Sequence, residues 1–215
     1  MKQRSFLTGM LLFAITCIHS SRIYAQTVKD FLNSPAVSVT YLGIDFSEAK
    51  LIGDPGAFAP DIKSRFYPSI NQVVVNEPKK YELGKAFRKD NITNDLSMVE
   101  ERNGKADADK IKSTNTADDS RFTPATISKM IGEYNFKGKK GFGILFIMES
   151  MNKTTERGSL YVNIIDMASG KILISERMVG KCGGFGFRNY WVKPVYEVLG
   201  EIENSKYKAW QEKYK

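Results

Sequence analysis

The sequence predicts an α/β (α+β) fold: a mixed, largely antiparallel sheet of about five strands, with helices packed on it and a long C-terminal helix. Three observations predict it. The stretch from Gly158 to Trp191 holds two apolar strands around a tight turn, then a glycine-rich corner, then aromatics that open a helix. Two more runs rich in β-branched and aromatic residues, at 37–46 and 141–151, read as strands. Val195, Val198, Leu199 and Ile202 recur at i, i+3, i+4 and i+7, the stripe of an amphipathic helix.

In chain order, residues 1–25 read as a secretory signal. Lys2 and Arg4 precede an apolar stretch from Phe6 to Ile18, and a more polar segment ends Ile23-Tyr24-Ala25 before Gln26. The apolar stretch falls short of the roughly 20 residues that a membrane span needs. A lipoprotein reading would use Cys17, although Thr16 before it is a poor fit to the small residue usual there. Removing 25 of the 215 residues leaves 190, residues 26–215, read as a single α/β domain with no transmembrane segment in the mature chain.

Thr27 to Asn33 is expected to form a short helix. The run 37–46 is expected to be a central strand, with Val37, Val39 and Tyr41 on one face and Leu42, Ile44 and Phe46 on the other. Gly53-Asp54-Pro55-Gly56 marks a turn. Ile62, Phe66, Ile70, Val73 and Val74 then follow helical spacing, with Pro68 expected to kink the helix or to start a second one. Lys79 to Phe87 reads as helical, and the alternation over 96–101 reads as a short, half-exposed strand. Arg102 to Arg121 is a polar loop carrying a short helical turn.

Thr123-Pro124 pairs a capping hydroxyl with proline at the first helical position, opening a helix to about Tyr134. Phe136 to Gly141 ends the helix, and its lysines read as a solvated turn, the alternative being a site for a phosphate or an acidic partner. Residues 141–151 read as a buried strand, followed by a hairpin that turns at Ala168-Ser169-Gly170. Gly170 supplies the positive φ there and Asp166 caps the turn from the side. These three strands should form an antiparallel meander, and a helix should run from about Asn189 to Lys215.

Composition narrows the chemistry. Lys2, Arg4 and Arg22 leave with the signal, so 29 basic residues face 24 acidic ones and the mature net charge is +5. That suits attraction to an anionic envelope surface and does not indicate nucleic acid. Cys17 and the single histidine, His19, both fall within the signal, which leaves no histidine and one cysteine, Cys182. An intramolecular disulfide is thereby excluded, as are zinc sites built on histidine or several cysteines, and Ser-His-Asp or Cys-His catalysis. Asp107, Asp109, Asp118 and Asp119 invite a calcium reading. An EF-hand loop counted from Asp107 would place Lys112 at its glycine position and Asp118 at its glutamate position, so the pattern fails. No metal and no cofactor is expected.

Two surfaces stand out as candidates. At the corner Gly180-Arg188, Gly183, Gly184 and Gly186 could wrap an anion at a helix start, with Lys181 and Arg188 adding charge. The spacing is neither GxGxxG nor a P-loop. The alternative is that the glycines bend the chain over the sheet while Phe185, Phe187, Tyr190 and Trp191 plug the core. Cys182 could be activated by Lys181, or simply packed. On the last helix, Tyr207, Trp210 and Tyr214 drift round the axis from the apolar stripe and, mixed with lysines, could meet a membrane surface or a partner protein.

The Ala25-Gln26 junction, YLGIDFSEAKLIG at 41–53 and GGFGFRNYW at 183–191 resemble secreted proteins of unknown function from Bacteroides and relatives. VNIIDMASGKILISE at 162–176, with its strand, turn, strand and helix order, resembles the CsgG and TolB N-terminal group of envelope proteins over about the last third of the chain. That second resemblance implies a sandwich-like α/β architecture.

The sequence therefore predicts an exported protein, periplasmic, envelope-associated or extracellular, acting as a noncatalytic binding or assembly module. Its expected partner is an envelope protein or an anionic surface, and nothing in the sequence sets an oligomeric state. Two rival readings are anion binding at the Gly180-Arg188 corner and a carboxylate-dependent, glycosidase-like hydrolase. The hydrolase needs two carboxylates facing one another across a cleft, and Asp45, Glu48 and Glu149 are the candidates.

Overall fold

The computed structural model describes residues 26–215, so the signal reading, with Cys17 and His19, lies outside the described residues. Seven strands form one sheet: β1 (Val39–Asp45), β2 (Lys50–Ile52), β3 (Ile92–Asn94), β4 (Lys112–Ser113), β5 (Phe142–Asn152), β6 (Arg157–Asp166) and β7 (Lys171–Lys181). The helices are α1 (Val28–Asn33), α2 (Ala59–Asp61), α3 (Tyr67–Asn76), α4 (Leu83–Ala86), α5 (Ser97–Gly104), α6 (Pro124–Gly132), α7 (Phe187–Glu201) and α8 (Tyr207–Lys213). Two π turns, Ile62–Phe66 and Ile202–Lys206, join α2 to α3 and α7 to α8.

β5 is the centre, buried along its whole length. It runs antiparallel to β6, and β6 antiparallel to β7, which is the expected meander. Its other edge pairs in parallel with β1 and then, further along, with β2. β3 and β4 extend β1 and β2, again in parallel. Four of the six pairings are parallel, so the sheet is mixed and mostly parallel rather than largely antiparallel, and it has seven strands rather than five. The extra strands are two or three residues long, too short for an alternation to show. β1 and β5 are separated by a long helix-bearing crossover, the connection that a parallel pair requires.

Helices cover both faces. Tyr41, Ile44, Phe46, Phe146 and Met148 face α1, α3, α7 and α8, while Leu42, Leu145 and Ile147 face α6. Tyr41 and Ile44 share a face because the β1–β5 register slips between Tyr41 and Gly43, where Gly43 takes φ +100°. The strict alternation expected along β1 therefore fails at that point.

Residues 97–104 form helix α5 where a strand was expected. The Asp95 carboxylate accepts from the Ser97 amide (3.1 Å) and hydroxyl (2.6 Å) and turns the chain into a helix whose buried residues, Val99 and Asn103, stand four apart. Asn103 and Asn71 then finish the edge of β1 that β3 leaves open. Asn71 accepts from the Ile44 amide (2.7 Å), Asn103 accepts from the Phe46 amide (2.6 Å), and both donate to the Ile44 carbonyl at 3.0 Å. These side-chain amides replace a missing strand, so the buried backbone stays paired.

Pro68 causes no break. The Tyr67 amide reaches back to the Ile62 carbonyl, and the widened turn carries the chain helically past the proline. Between Lys79 and Phe87 only Leu83–Ala86 is helical. The two capping boxes, Thr27 with Asp30 and Thr123 with Thr126, open α1 and α6 at the expected places.

Candidate functional site

The chain leaves β7 at Lys181, and the Cys182 amide donates to the Glu156 carbonyl (2.8 Å), the last tie to the neighbouring hairpin. Gly184 (φ +100°) and Gly186 (φ +81°) then invert the backbone on either side of Phe185. These are conformations that side-chain-bearing residues rarely adopt. Phe185 is thereby turned outward and is 95% exposed, not a plug in the core. Its position is held: Asn189 donates from its side chain to the Phe185 carbonyl (3.1 Å) and accepts from the Arg188 guanidinium at 3.1 and 3.0 Å. The Phe187 and Phe66 rings, 4.5 Å apart, line a hollow with Phe185, and Arg65 lies over Phe66 at 4.8 Å. Trp191 reaches the core.

The five candidate residues of the corner do not converge on one site. Gly183, Gly184 and Arg188 line a cavity of about 440 Å³ on one side of Phe185. Gly186 and Arg188 line another of about 370 Å³ on the other side, against Arg65 and Ser69. Lys181 belongs to a third, of about 810 Å³, with Arg157, Lys85 and Tyr196. Gly180 has a packing role. A Cβ there would stand 2.4 Å from the Pro194 carbonyl oxygen, and one on Gly158 would stand 2.7 Å from the Pro194 ring. The two glycines let α7 lie directly on β6 and β7. Burial, the largest influence, pushes the Cys182 thiol up to about 12, Glu156 adds to that and Lys153 opposes it. A thiol so protonated is not a nucleophile at neutral pH.

Sequence reasoning missed Lys80, Tyr81 and Lys193, which share the 440 Å³ cavity with Gly183 and Arg188. They come from a segment a hundred residues earlier and from the second turn of α7, so no local motif joins them. The outward Phe185 was signalled by a glycine on each side.

Tyr207 and Trp210 are interior residues, 1% and 2% exposed, and only Tyr214 of the three proposed surface aromatics keeps partial exposure. The Trp210 indole donates to Glu176 (2.5 Å), and Tyr207 accepts a hydrogen bond from Lys89 (3.0 Å). The π turn explains the change. It takes up one extra residue, so Tyr207, Trp210 and Tyr214 return to the face of Val195, Val198 and Ile202.

Two of the candidate carboxylates are interior as well. Asp45 is fully buried and accepts from the Arg102 Nε (2.9 Å), the Tyr134 hydroxyl (2.7 Å) and the Ser47 amide (2.8 Å). Glu149 stands at the point where β5 slips register against β6, and it accepts from the Arg177 Nε (2.6 Å) and the Phe122 amide (2.5 Å). Glu48 is exposed and lines a hollow of about 330 Å³ with Arg102 and Lys50. With Asp45 and Glu149 shut from solvent, these three do not oppose one another across a cleft. Among the described residues, no group of three or more His, Cys, Asp or Glu side chains is placed to hold a metal ion. No helix among the described residues is long and apolar enough to cross a membrane.

No family model matches the chain, and no curated protein does. Among solved structures, lipoprotein GNA1162 from Neisseria meningitidis is similar over 78% of this chain and 97% of that chain, at 17% sequence identity and a TM-score of 0.32.

Proposed function

We propose that this chain is an exported, envelope-associated binding module without a catalytic centre, and that the glycine corner is the face it binds through. The observation that carries the reading is Phe185, a large aromatic side chain held almost wholly in solvent on a backbone built to present it. Burying such a side chain against a partner releases about 1.5–3 kcal/mol that the free chain forgoes. The secretory signal read at 1–25 and the resemblance to the CsgG and TolB group support the export half of the reading. The interior ion pairs of Asp45 and Glu149 weigh against the carboxylate-dependent alternative.

Fractionation of cells expressing the full chain tests this. Wild-type protein is expected to sediment with the envelope, and Phe185→Ser to shift it to the soluble fraction with its melting temperature unchanged. Equal envelope retention of both proteins would refute the assignment of the face. Turnover by the purified protein on a panel of glycosides and esters would refute its noncatalytic role.

A further inference from the structure

The cavity beside Phe185 carries more than a surface contact. Three cations, Lys80, Arg188 and Lys193, line it against a single carboxylate, Glu77. Glu77 is 3.5 Å from Lys80, and Lys193 is 2.6 Å from Glu197, while the Arg188 guanidinium bonds the neutral amide of Asn189. The fifteen-residue helix α7 starts beside it: its N-cap, Gly186, has no side chain to satisfy the first amides and lies toward the other hollow, while Arg188 and Asn189 of the first turn line this one. Those amides and the helix dipole favour an anion.

A separate observation points the same way. Tyr81 lines the same cavity and is 1% exposed, and although the Lys80 ammonium can donate to its hydroxyl oxygen, the buried phenol proton has no acceptor. Burial, helped by the Glu77 charge, raises its pKa, while the charge and hydrogen bond of Lys80 and the charge of Arg188 oppose that. The phenol is therefore a protonated donor at neutral pH. A buried donor without an acceptor costs about 1–3 kcal/mol, and an anion in the cavity would supply the acceptor.

We propose that this cavity is a phosphate site, in which Arg188, Lys193 and Lys80 hold the charge and the Tyr81 hydroxyl donates to a phosphate oxygen. This deepens the binding-face reading of the corner and rests on it. The phosphate is either free or the headgroup of an anionic lipid, whose acyl region the neighbouring Phe185 would enter.

Calorimetric titration of the purified 26–215 chain with inorganic phosphate gives the first arm. Binding is expected, weakened about tenfold in Arg188→Gln and about fivefold in Tyr81→Phe, the sizes of one charge-assisted and one neutral hydrogen bond. Lys129→Gln, on the distant helix α6, should bind as wild type. Because the Tyr81 proton has no acceptor and the Lys80 ammonium keeps Glu77 as its partner, Tyr81→Phe should leave the melting temperature nearly unchanged, which separates loss of binding from loss of fold. Flotation with phosphatidylglycerol vesicles against phosphatidylcholine vesicles gives the second arm. Selective flotation lost in Phe185→Ser identifies the lipid headgroup, and phosphate binding without flotation identifies the free anion. No phosphate binding, or equal binding by Arg188→Gln and wild type, overturns the site. If phosphate fails to bind while Phe185→Ser still releases the protein from the envelope, the phosphate site falls and the binding face stands.

Discussion

The Tyr207 amide donates to the Ile202 carbonyl, five residues back, and this one bond decides which way the end of the last helix faces. A four-residue spacing from Ile202 would put position 206 over the core. The wider turn puts Tyr207 there instead, and Trp210 follows it. The turn behaves as a single inserted residue. Deleting Asn204, an exposed member of the turn, should therefore close it to an ordinary helix and leave Tyr207 and Trp210 buried, at a cost below about 1 kcal/mol. Deleting Ala209 instead should swing Trp210 about 100° out of the core and cost about 3–5 kcal/mol. Urea unfolding of the two deletions checks this, and equal losses would contradict it.

Gly180 lets the backbone of α7 approach the sheet. Since a Cβ at Gly180 would meet the Pro194 backbone and one at Gly158 chiefly the Pro194 ring, Gly180→Ala should be the costlier change. About 2–3 kcal/mol is expected for Gly180→Ala, against about 1–2 kcal/mol for Gly158→Ala. Denaturation midpoints that reversed this order would show that α7 can shift away from β7.

Lys89 is 6% exposed, and its ammonium donates to the Phe31 and Ser34 carbonyls and the Tyr207 hydroxyl. Burial lowers its pKa to about 8, with Asp90 acting the other way. The folded chain thus gives up this proton before the unfolded chain does, whose lysines titrate near 10.4. Between about pH 8 and 10.5 the unfolded state holds more protons, so this group's contribution to stability rises with pH, by at most roughly 3 kcal/mol. The difference in unfolding free energy between wild type and Lys89→Met should grow in favour of wild type across that window. Parallel profiles would contradict the buried, charged lysine.

Glu149 is wholly buried, and Arg177 supplies its charge partner while also donating to the Asp119 carbonyl (2.6 Å). Arg177→Ala should cost about 3–5 kcal/mol, because it strands a buried carboxylate. Adding Glu149→Gln to it should recover part of that loss. A double variant no more stable than Arg177→Ala would show that the lost tie to Asp119, rather than the charge, is what matters.

The elements legible in the sequence were those whose pattern is local. Thr123 announces its helix through a capping hydroxyl with Pro124 behind it, and Gly170 marks its hairpin. The strands hidden from it, such as Lys50–Ile52 and Ile92–Asn94, are too short to carry a period and exist because β1 and β5 offer edges to pair with. The alternation at 96–101 misled because the capping of Ser97 by Asp95 outweighs a weak two-residue period. At the corner the glycines were visible. Tyr81, Lys80 and Lys193 were not, since only the packing of the segment before α4 against α7 brings them to Arg188.

Hydrogen–deuterium exchange of the full chain with and without native envelope vesicles reads the binding face itself. Slowed exchange on binding is expected at residues 183–189, with the hairpin turn at 168–170, at the other end of the meander, unchanged. Protection at 168–170 with none at 183–189 would contradict it.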